Sequence, residues 1–244
     1  EMRSEVFSQG TLMLRLVIQV SMGLAIPLMA CCLFIWPSYA PWYISYVLLF
    51  NMLVGPVFSA GSITNERERQ TLDLLLTTTL SPWTILWGKL VSGLRVSSVL
   101  TLFLLWPVLL ACVMIDAFWS NLPTMVGYVA IVLLTCLTTS VTALVCSVLA
   151  DRTAVSLVMT YVIIVTLFTA PLAAVFFADT FFPDAPATQS IEWTGASSPF
   201  AAALSLPLDC DSKTGTARPA NLPLFLSHFA FFIVYNLALL ATMT

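Results

Sequence analysis

The sequence predicts an all-α integral membrane protein with six transmembrane helices. Hydrophobic residues make up 59% of its 244 residues and charged residues only 9%, against roughly 25% charged residues in a soluble protein. Long apolar runs recur along the chain, and a helix needs about 20 apolar residues to cross the bilayer. The runs lack the two-residue alternation of a membrane β-barrel. Lipid is therefore the expected solvent for most of the chain.

Apolar runs and prolines set the boundaries of the predicted spans, because proline ends helices. A proline-bounded turn, 37–41, follows the first span, and Asp151-Arg152 separates the fourth from the fifth. Residues 116–123 are predicted to form a short loop between the third and fourth spans. A polar segment, 179–222, precedes the last span. The chain is thus a single transmembrane domain, 1–244, with spans at about 11–36, 42–63, 90–115, 124–150, 153–178 and 223–243.

The positive charges predict the orientation of the spans. Seven of the nine Lys and Arg residues lie at the N-terminus and in the 2–3 and 4–5 connections. Since cytoplasmic loops carry this excess, we expect the N-terminus and the segment 65–89 in the cytoplasm and the segment 179–222 outside. Aromatic residues mark the two interfaces. The outer belt is predicted to hold Trp36, Tyr39, Trp42, Tyr43, Tyr46 and Trp119, and the inner interface Trp83 and Trp87.

The connection between spans 2 and 3 carries an alternating cluster of charges. Asn65 is predicted to cap a helix, with Glu68 three residues later. The following leucines predict a short helix along the membrane surface. Ser81 should cap the next helix, with Pro82 as its first residue. A solvated loop and a docking site for a soluble partner both fit the charges alone.

This connection resembles the signature of the ABC-2 type transporter permeases. That signature has the form E-x-E-x-G-T-[LW]-[DE]-x-L-L-x-T-P-[LV]-S, followed by G-K, between the second and third spans. The matching residues are Glu66-Arg-Glu-Arg69, Thr71-Leu72-Asp73, Leu75-Leu76, Leu80-Ser81-Pro82 and Gly88-Lys89. Gln70 stands where the family usually has Gly, and Thr79 where it often has Pro.

The resemblance implies a permease subunit of an ABC-2 exporter in the bacterial cytoplasmic membrane. Two such chains, identical or related, would work with cytoplasmic ATPase subunits that bind ATP and Mg, and this chain would bind no cofactor. The segment 65–89 would hold the coupling helix. We therefore expect the partner ATPase to contact Glu66, Arg67, Glu68, Arg69, Thr71, Leu72 and Asp73.

The outer segment 179–222 contains a predicted short apolar helix. Ser198 and Pro199 form its cap and first turn, and Pro207 ends it. In the resembled family such helices dip into the outer leaflet and help to close the exit, so Phe200, Leu204 and Leu206 are candidates for an outer gate. An ordinary exposed loop is the alternative.

Catalytic and metal-binding motifs are missing from the sequence. It has no G-x-x-x-x-G-K-[ST] phosphate loop, and no H-E-x-x-H or G-x-S-x-G motif. His228, the only histidine, lacks companion ligands and is predicted to be an interfacial or a packed histidine, not a metal ligand. The net charge of −3 without a basic cluster argues against nucleic acid as a partner.

Few charges lie within the spans, which favours a lipid-like or amphipathic cargo. The amide residues there, Gln19, Asn51 and Asn236, are expected to bond neighbouring helices, with contact to the substrate as the alternative. A non-transporting scaffold or accessory subunit of a larger membrane complex is the alternative function.

Overall fold

The computed structural model describes residues 2–68, 70, 81–181, 193–206 and 222–242, and this part of the chain is almost wholly helical, without a strand. Six of its helices are long and apolar enough to cross a membrane. The predicted fold class is therefore confirmed.

The helices follow one another with short connections. The first continues as a π-helical turn, Ala30–Ile35, and a 3-10 turn, Pro37–Tyr39, leads into the second. The bounds are α1 Met2–Met29, α2 Ala40–Ser59, α3 Thr64–Glu68, α4 Pro82–Met114, α5 Asp116–Ser120, α6 Leu122–Leu149, α7 Thr153–Phe181, α8 Pro199–Ser205 and α9 Leu222–Thr242. The helix α5 replaces the loop that was predicted for residues 116–123, so that prediction is wrong.

The helices α2 and α6 form the centre of the bundle. In their apolar stretches 61% and 67% of the residues are buried within the protein, against 11% in α1. The helix α6 packs against α2, α4, α7 and α9. The outward faces of α1, α4, α7 and α9 are lined by large exposed apolar side chains, as expected for helices surrounded by lipid.

Polar side chains within the bundle bond neighbouring helices. The amide Nδ2 of Asn236 donates to Thr138 Oγ1 at 2.9 Å, which joins α9 to α6. The Nδ2 of Asn51 on α2 donates to the carbonyl oxygen of Val132 on α6 at 3.5 Å. The expectation that these amides join helices is confirmed, since apolar lipid offers them no partner.

The structure contradicts one member of the predicted outer aromatic belt, Tyr43. Trp36, Tyr39, Trp42 and Trp119 are exposed. Tyr43 is instead fully buried, and its hydroxyl donates to the carbonyl oxygen of Leu104 at 2.8 Å. A buried phenol needs such a partner, and the bond joins α2 to α4. The end of the bundle with the exposed Trp36, Trp42 and Trp119 is called the aromatic end below.

Candidate functional site

The opposite end of the bundle, called the charged end, is organised around the short helix α3. This helix follows α2 after the turn 60–63 and carries Glu66, Arg67 and Glu68. It begins at Thr64, and the backbone N–H of Asn65 donates to the carbonyl oxygen of Gly61 at 3.1 Å. Asn65 therefore lies inside the helical hydrogen-bond pattern, and the prediction that it caps the helix is wrong.

Two buried serines hold the start of α3 against α6 and α7. Ser147 Oγ on α6 accepts hydrogen bonds from the backbone N–H groups of Ile63 at 3.0 Å and Thr64 at 3.1 Å. Ser156 Oγ on α7 donates to the carbonyl oxygen of Ala60 at 2.8 Å. These bonds give backbone groups at the junction between α2 and α3 side-chain partners on two spanning helices.

Glu66 ties α3 to α4. Its carboxylate forms an ion pair with the ammonium group of Lys89, which lies near the start of α4. The two side chains are 24% and 31% exposed, respectively, so the pair is only partly screened by solvent.

Arg67 ties α3 to the end of α6. Its guanidinium donates to the carbonyl oxygens of Ala150 at 2.8 Å and Val148 at 3.4 Å, and to the carboxylate of Asp151 at 2.9 Å. The last carbonyls of a helix lack partners within the helix, and a cation there also meets the negative end of the helix dipole.

Glu68 ties α3 to the start of α7. Its Oε1 accepts hydrogen bonds from the backbone N–H of Thr153 at 2.7 Å and from Thr153 Oγ1 at 2.9 Å. A carboxylate at this position caps the helix and faces the positive end of its dipole. Three consecutive charged residues thus connect α3 to three different spanning helices.

The residue that follows this cluster in the described part has an unusual backbone. Gln70 has a φ of 57°, in the left-handed region, where a non-glycine side chain is crowded. Gln70 is the position at which the permease signature usually has glycine. The departure noted in the sequence therefore coincides with a backbone conformation that favours glycine.

The structure describes only three of the seven predicted partner-binding residues. Glu66, Arg67 and Glu68 come together, and they bond within the chain. Arg69, Thr71, Leu72 and Asp73 lie outside the described residues, so their predicted contact with an ATPase stays a prediction. On the far side of the connection, Ser81 Oγ accepts from the backbone N–H of Thr84 at 3.3 Å, which confirms the predicted cap of α4.

Sequence reasoning did not identify the partners of these charges. Lys89 was noted only as part of the signature, and Ser147 and Thr153 carry no motif. They are between 23 and 85 residues away from α3 along the chain. The local sequence gives one indication of these partners, because Ser147 and Thr153 flank the short turn between α6 and α7.

The predicted short apolar helix is present as α8 at the aromatic end. Ser198 Oγ accepts from the backbone N–H of Ala201 at 3.5 Å, so the predicted cap is confirmed. Phe200 and Leu204 are half-buried and Leu206 is buried. Their role as an outer gate stays a prediction.

Of the two alternatives predicted for His228, interfacial or packed, the structure shows the packed one. It is fully buried, and its Nδ1 lies 2.8 Å from the carbonyl oxygen of Ala196. Its ring also packs against Phe232, with ring centroids 4.7 Å apart. Within the ranges that the structure describes, no group of three His, Cys, Asp or Glu side chains is placed to hold a metal ion.

Comparison with known families finds a match over nearly the whole chain. A protein-family model described as "ABC-2 family transporter protein" matches residues 6–243, nearly the whole chain. No curated protein matches the chain. The matched region includes all six spanning helices and the charged end.

Proposed function

Because this chain belongs to the ABC-2 family of transporter proteins, we propose that it is the permease subunit of an ATP-driven exporter in the bacterial cytoplasmic membrane. A second permease chain, identical or related, completes the membrane part. ATP and Mg bind to ATPase subunits on separate chains at the charged end, which faces the cytoplasm. The cargo is a lipid-like or amphipathic molecule, since the spans carry few charges.

The linkage of α3 to three spanning helices is the observation that supports this proposal best. Through Glu66, Arg67 and Glu68 the helix is bonded to α4, α6 and α7. Any force that displaces α3 therefore acts on half of the spanning helices at once. A loop that served only to connect two spans would not require these bonds.

We assign different roles to the two parts of the connection. Arg69, Thr71, Leu72 and Asp73 are proposed to contact the ATPase. Glu66, Arg67 and Glu68 transmit the movement, because their charged groups are already engaged with other helices of the same chain. The inward-facing and outward-facing states must then differ in these contacts, since coupling requires differential free energy between two states.

The test is purification of the complex from native membranes in mild detergent, followed by measurement of its Mg-dependent ATP hydrolysis. The double variant Glu66→Lys/Glu68→Lys places like charges beside Lys89 and at the positive end of α7. We expect the hydrolysis rate to fall by roughly 5- to 150-fold, the range of typical coupling free energies, while the chain still inserts and co-purifies with its ATPase.

The matched control is Asp116→Lys, which reverses an exposed carboxylate at the aromatic end. It should leave the rate unchanged. If the double variant hydrolyses ATP as fast as this control, the transmission role is wrong. A chain that purifies in a complex without any ATPase would instead support the scaffold function.

A further inference from the structure

An apolar cavity of about 380 Å³ lies between α1, α2 and α4, within the membrane-spanning part of the chain. Ligand pockets in proteins have volumes of about 300–1,000 Å³. Among the described residues that line the cavity none is charged, and only Tyr43 has a polar side chain. Gly23, Ile26 and Phe103 line the cavity and are also exposed. The cavity is therefore open to the lipid around the bundle.

Two prolines deprive backbone carbonyl groups of the cavity wall of their regular partners. Pro27 lies inside α1 and Pro107 inside α4, and proline has no N–H to donate to the carbonyl four residues earlier. The carbonyl oxygens of Gly23 and Phe103 therefore lack their regular helical donors, and both residues line the cavity. Since Gly23 has no side chain, its backbone itself forms part of the wall.

The described part of the chain offers these two carbonyls no side-chain donor. No hydrogen bond from a described side chain reaches the oxygen of Gly23 or Phe103. The hydroxyl of Tyr43 is already engaged, because it donates to the carbonyl oxygen of Leu104 at 2.8 Å. A backbone carbonyl without a partner is costly in hydrocarbon. A donor from outside the chain would remove this cost.

The groups of the wall limit the class of ligand. The apolar side chains favour a hydrocarbon chain. The two carbonyl oxygens accept hydrogen bonds from an O–H or N–H group, whereas an ether or ester oxygen would leave them without a donor. A charged group would find no counter-charge among the described residues of the wall, and an unpaired charge in an apolar environment is costly.

We propose that this cavity binds a neutral amphiphile, a molecule with a hydrocarbon chain and at least one hydroxyl or amide N–H group. The chain lies against the apolar wall, and the donor group bonds the carbonyl oxygen of Gly23 or Phe103. The inference rests on the proposed function only where it names this amphiphile as the class of cargo, because binding itself requires no ATPase.

The experiment is competition binding to the purified full chain in detergent, with tritiated 1-dodecanol as the ligand. Unlabelled 1-dodecanol should compete about tenfold better than dodecyl methyl ether, which lacks a donor, since one hydrogen bond contributes about this factor. Gly23→Leu fills the cavity and should reduce binding by about tenfold or more. Gly88→Leu is the matched control, because a Cβ atom at Gly88 also meets no described atom within 4 Å and Gly88 does not line the cavity.

Replacement of the prolines tests the carbonyls directly. Pro27→Ala/Pro107→Ala returns an N–H group to each helix, so both carbonyls regain donors within the chain. The alcohol should then lose its advantage over the ether, while the ether binds as before. Pro171→Ala is the control, because Pro171 lies inside α7 and does not line the cavity. It should leave the advantage of the alcohol unchanged.

Equal competition by the alcohol and the ether in the unaltered chain would overturn the proposal in favour of a groove that accepts any lipid chain. An advantage of the alcohol that persists in the double proline variant would overturn the role of the carbonyls. The cargo assignment is tested in the complex with its ATPase, where 1-dodecanol should raise the rate of Mg-dependent ATP hydrolysis and the ether should not. If the alcohol binds without this rise, the cargo assignment is wrong, whereas the absence of any co-purifying ATPase would instead contradict the proposed function.

Discussion

The carboxylate of Glu68 caps the helix that begins at Thr153, although the two residues are 85 positions apart in the chain. One carboxylate oxygen accepts both the backbone N–H and the side-chain hydroxyl of Thr153. The connection between the second and third spans therefore completes the N-terminus of the fifth.

Replacement of Glu68 tests this cap. Glu68→Ala should lower the free energy of unfolding by about 1 kcal/mol, as the loss of a helix cap typically does, and Glu68→Gln should lower it less because its amide oxygen still accepts. Thermal unfolding in detergent measures the change, with a shift of about 2–4 °C per kcal/mol for a chain of this size. Thr153→Val removes the hydroxyl, and the effects of the two substitutions should not add. Full additivity would contradict the cap.

Arg67 should contribute more through the carbonyl oxygens of α6 than through its ion pair. Arg67→Met leaves the carbonyls of Val148 and Ala150 without this donor and should cost about 1–2 kcal/mol. Asp151→Asn should cost less than about 0.5 kcal/mol, because the Asp151 side chain is 92% exposed and exposed ion pairs contribute little. The same unfolding measurement compares the two variants. Equal losses would show that the ion pair carries the stabilisation.

Replacement of Gln70 by glycine should stabilise the protein. Gln70→Gly removes the crowding of a side chain at a φ of 57°, which costs about 1–2 kcal/mol for an L-residue. Part of that gain is offset by the greater freedom of glycine in the unfolded chain. We expect a net rise of about 0.5–1 kcal/mol in the free energy of unfolding. Gln70→Val should lower it, since a β-branched residue tolerates this conformation least. A destabilising Gln70→Gly would contradict the left-handed backbone.

Gly55 should not tolerate a side chain. A Cβ atom there would lie 2.9 Å from Thr139 Oγ1 and 3.0 Å from Asn51 Oδ1, at the contact between α2 and α6. Gly55→Ala should therefore cost about 1–3 kcal/mol through overpacking. Gly23→Ala is the matched control, because a Cβ atom at Gly23 meets no described atom within 4 Å. The control should be neutral or stabilising by up to about 1 kcal/mol. Equal thermal midpoints for the two variants would contradict the close contact.

The spanning helices were predictable because their signal is local. Each apolar run is long enough to cross the bilayer by itself, and the caps at Ser81 and Ser198 are set by neighbouring residues. Local reasoning failed at Asn65, where the helical hydrogen bonds begin earlier, and at Tyr43, whose ring lies between α2 and α4. In both cases contacts with other helices, to Ser147 at the start of α3 and to Leu104 at Tyr43, determine the local structure.

The site was predictable in its location but not in its pairings. The charges at 66–69 and the signature around them point to the connection between the second and third spans. Which charge bonds which helix depends on how the helices are arranged around α6. Lys89, Ala150 and Thr153 become neighbours of α3 only through that arrangement.

By itself the sequence determined the fold class, the number of spans and the family signature, because bilayer thickness and apolar run length alone decide which segments cross the membrane. The tertiary structure decided that Glu66, Arg67 and Glu68 bond three separate spanning helices, and that an apolar cavity lies between α1, α2 and α4. The physical reason is that hydrogen bonds and ion pairs act over a few ångströms in space. Their partners therefore follow from the packing of the helices and not from the order of the residues.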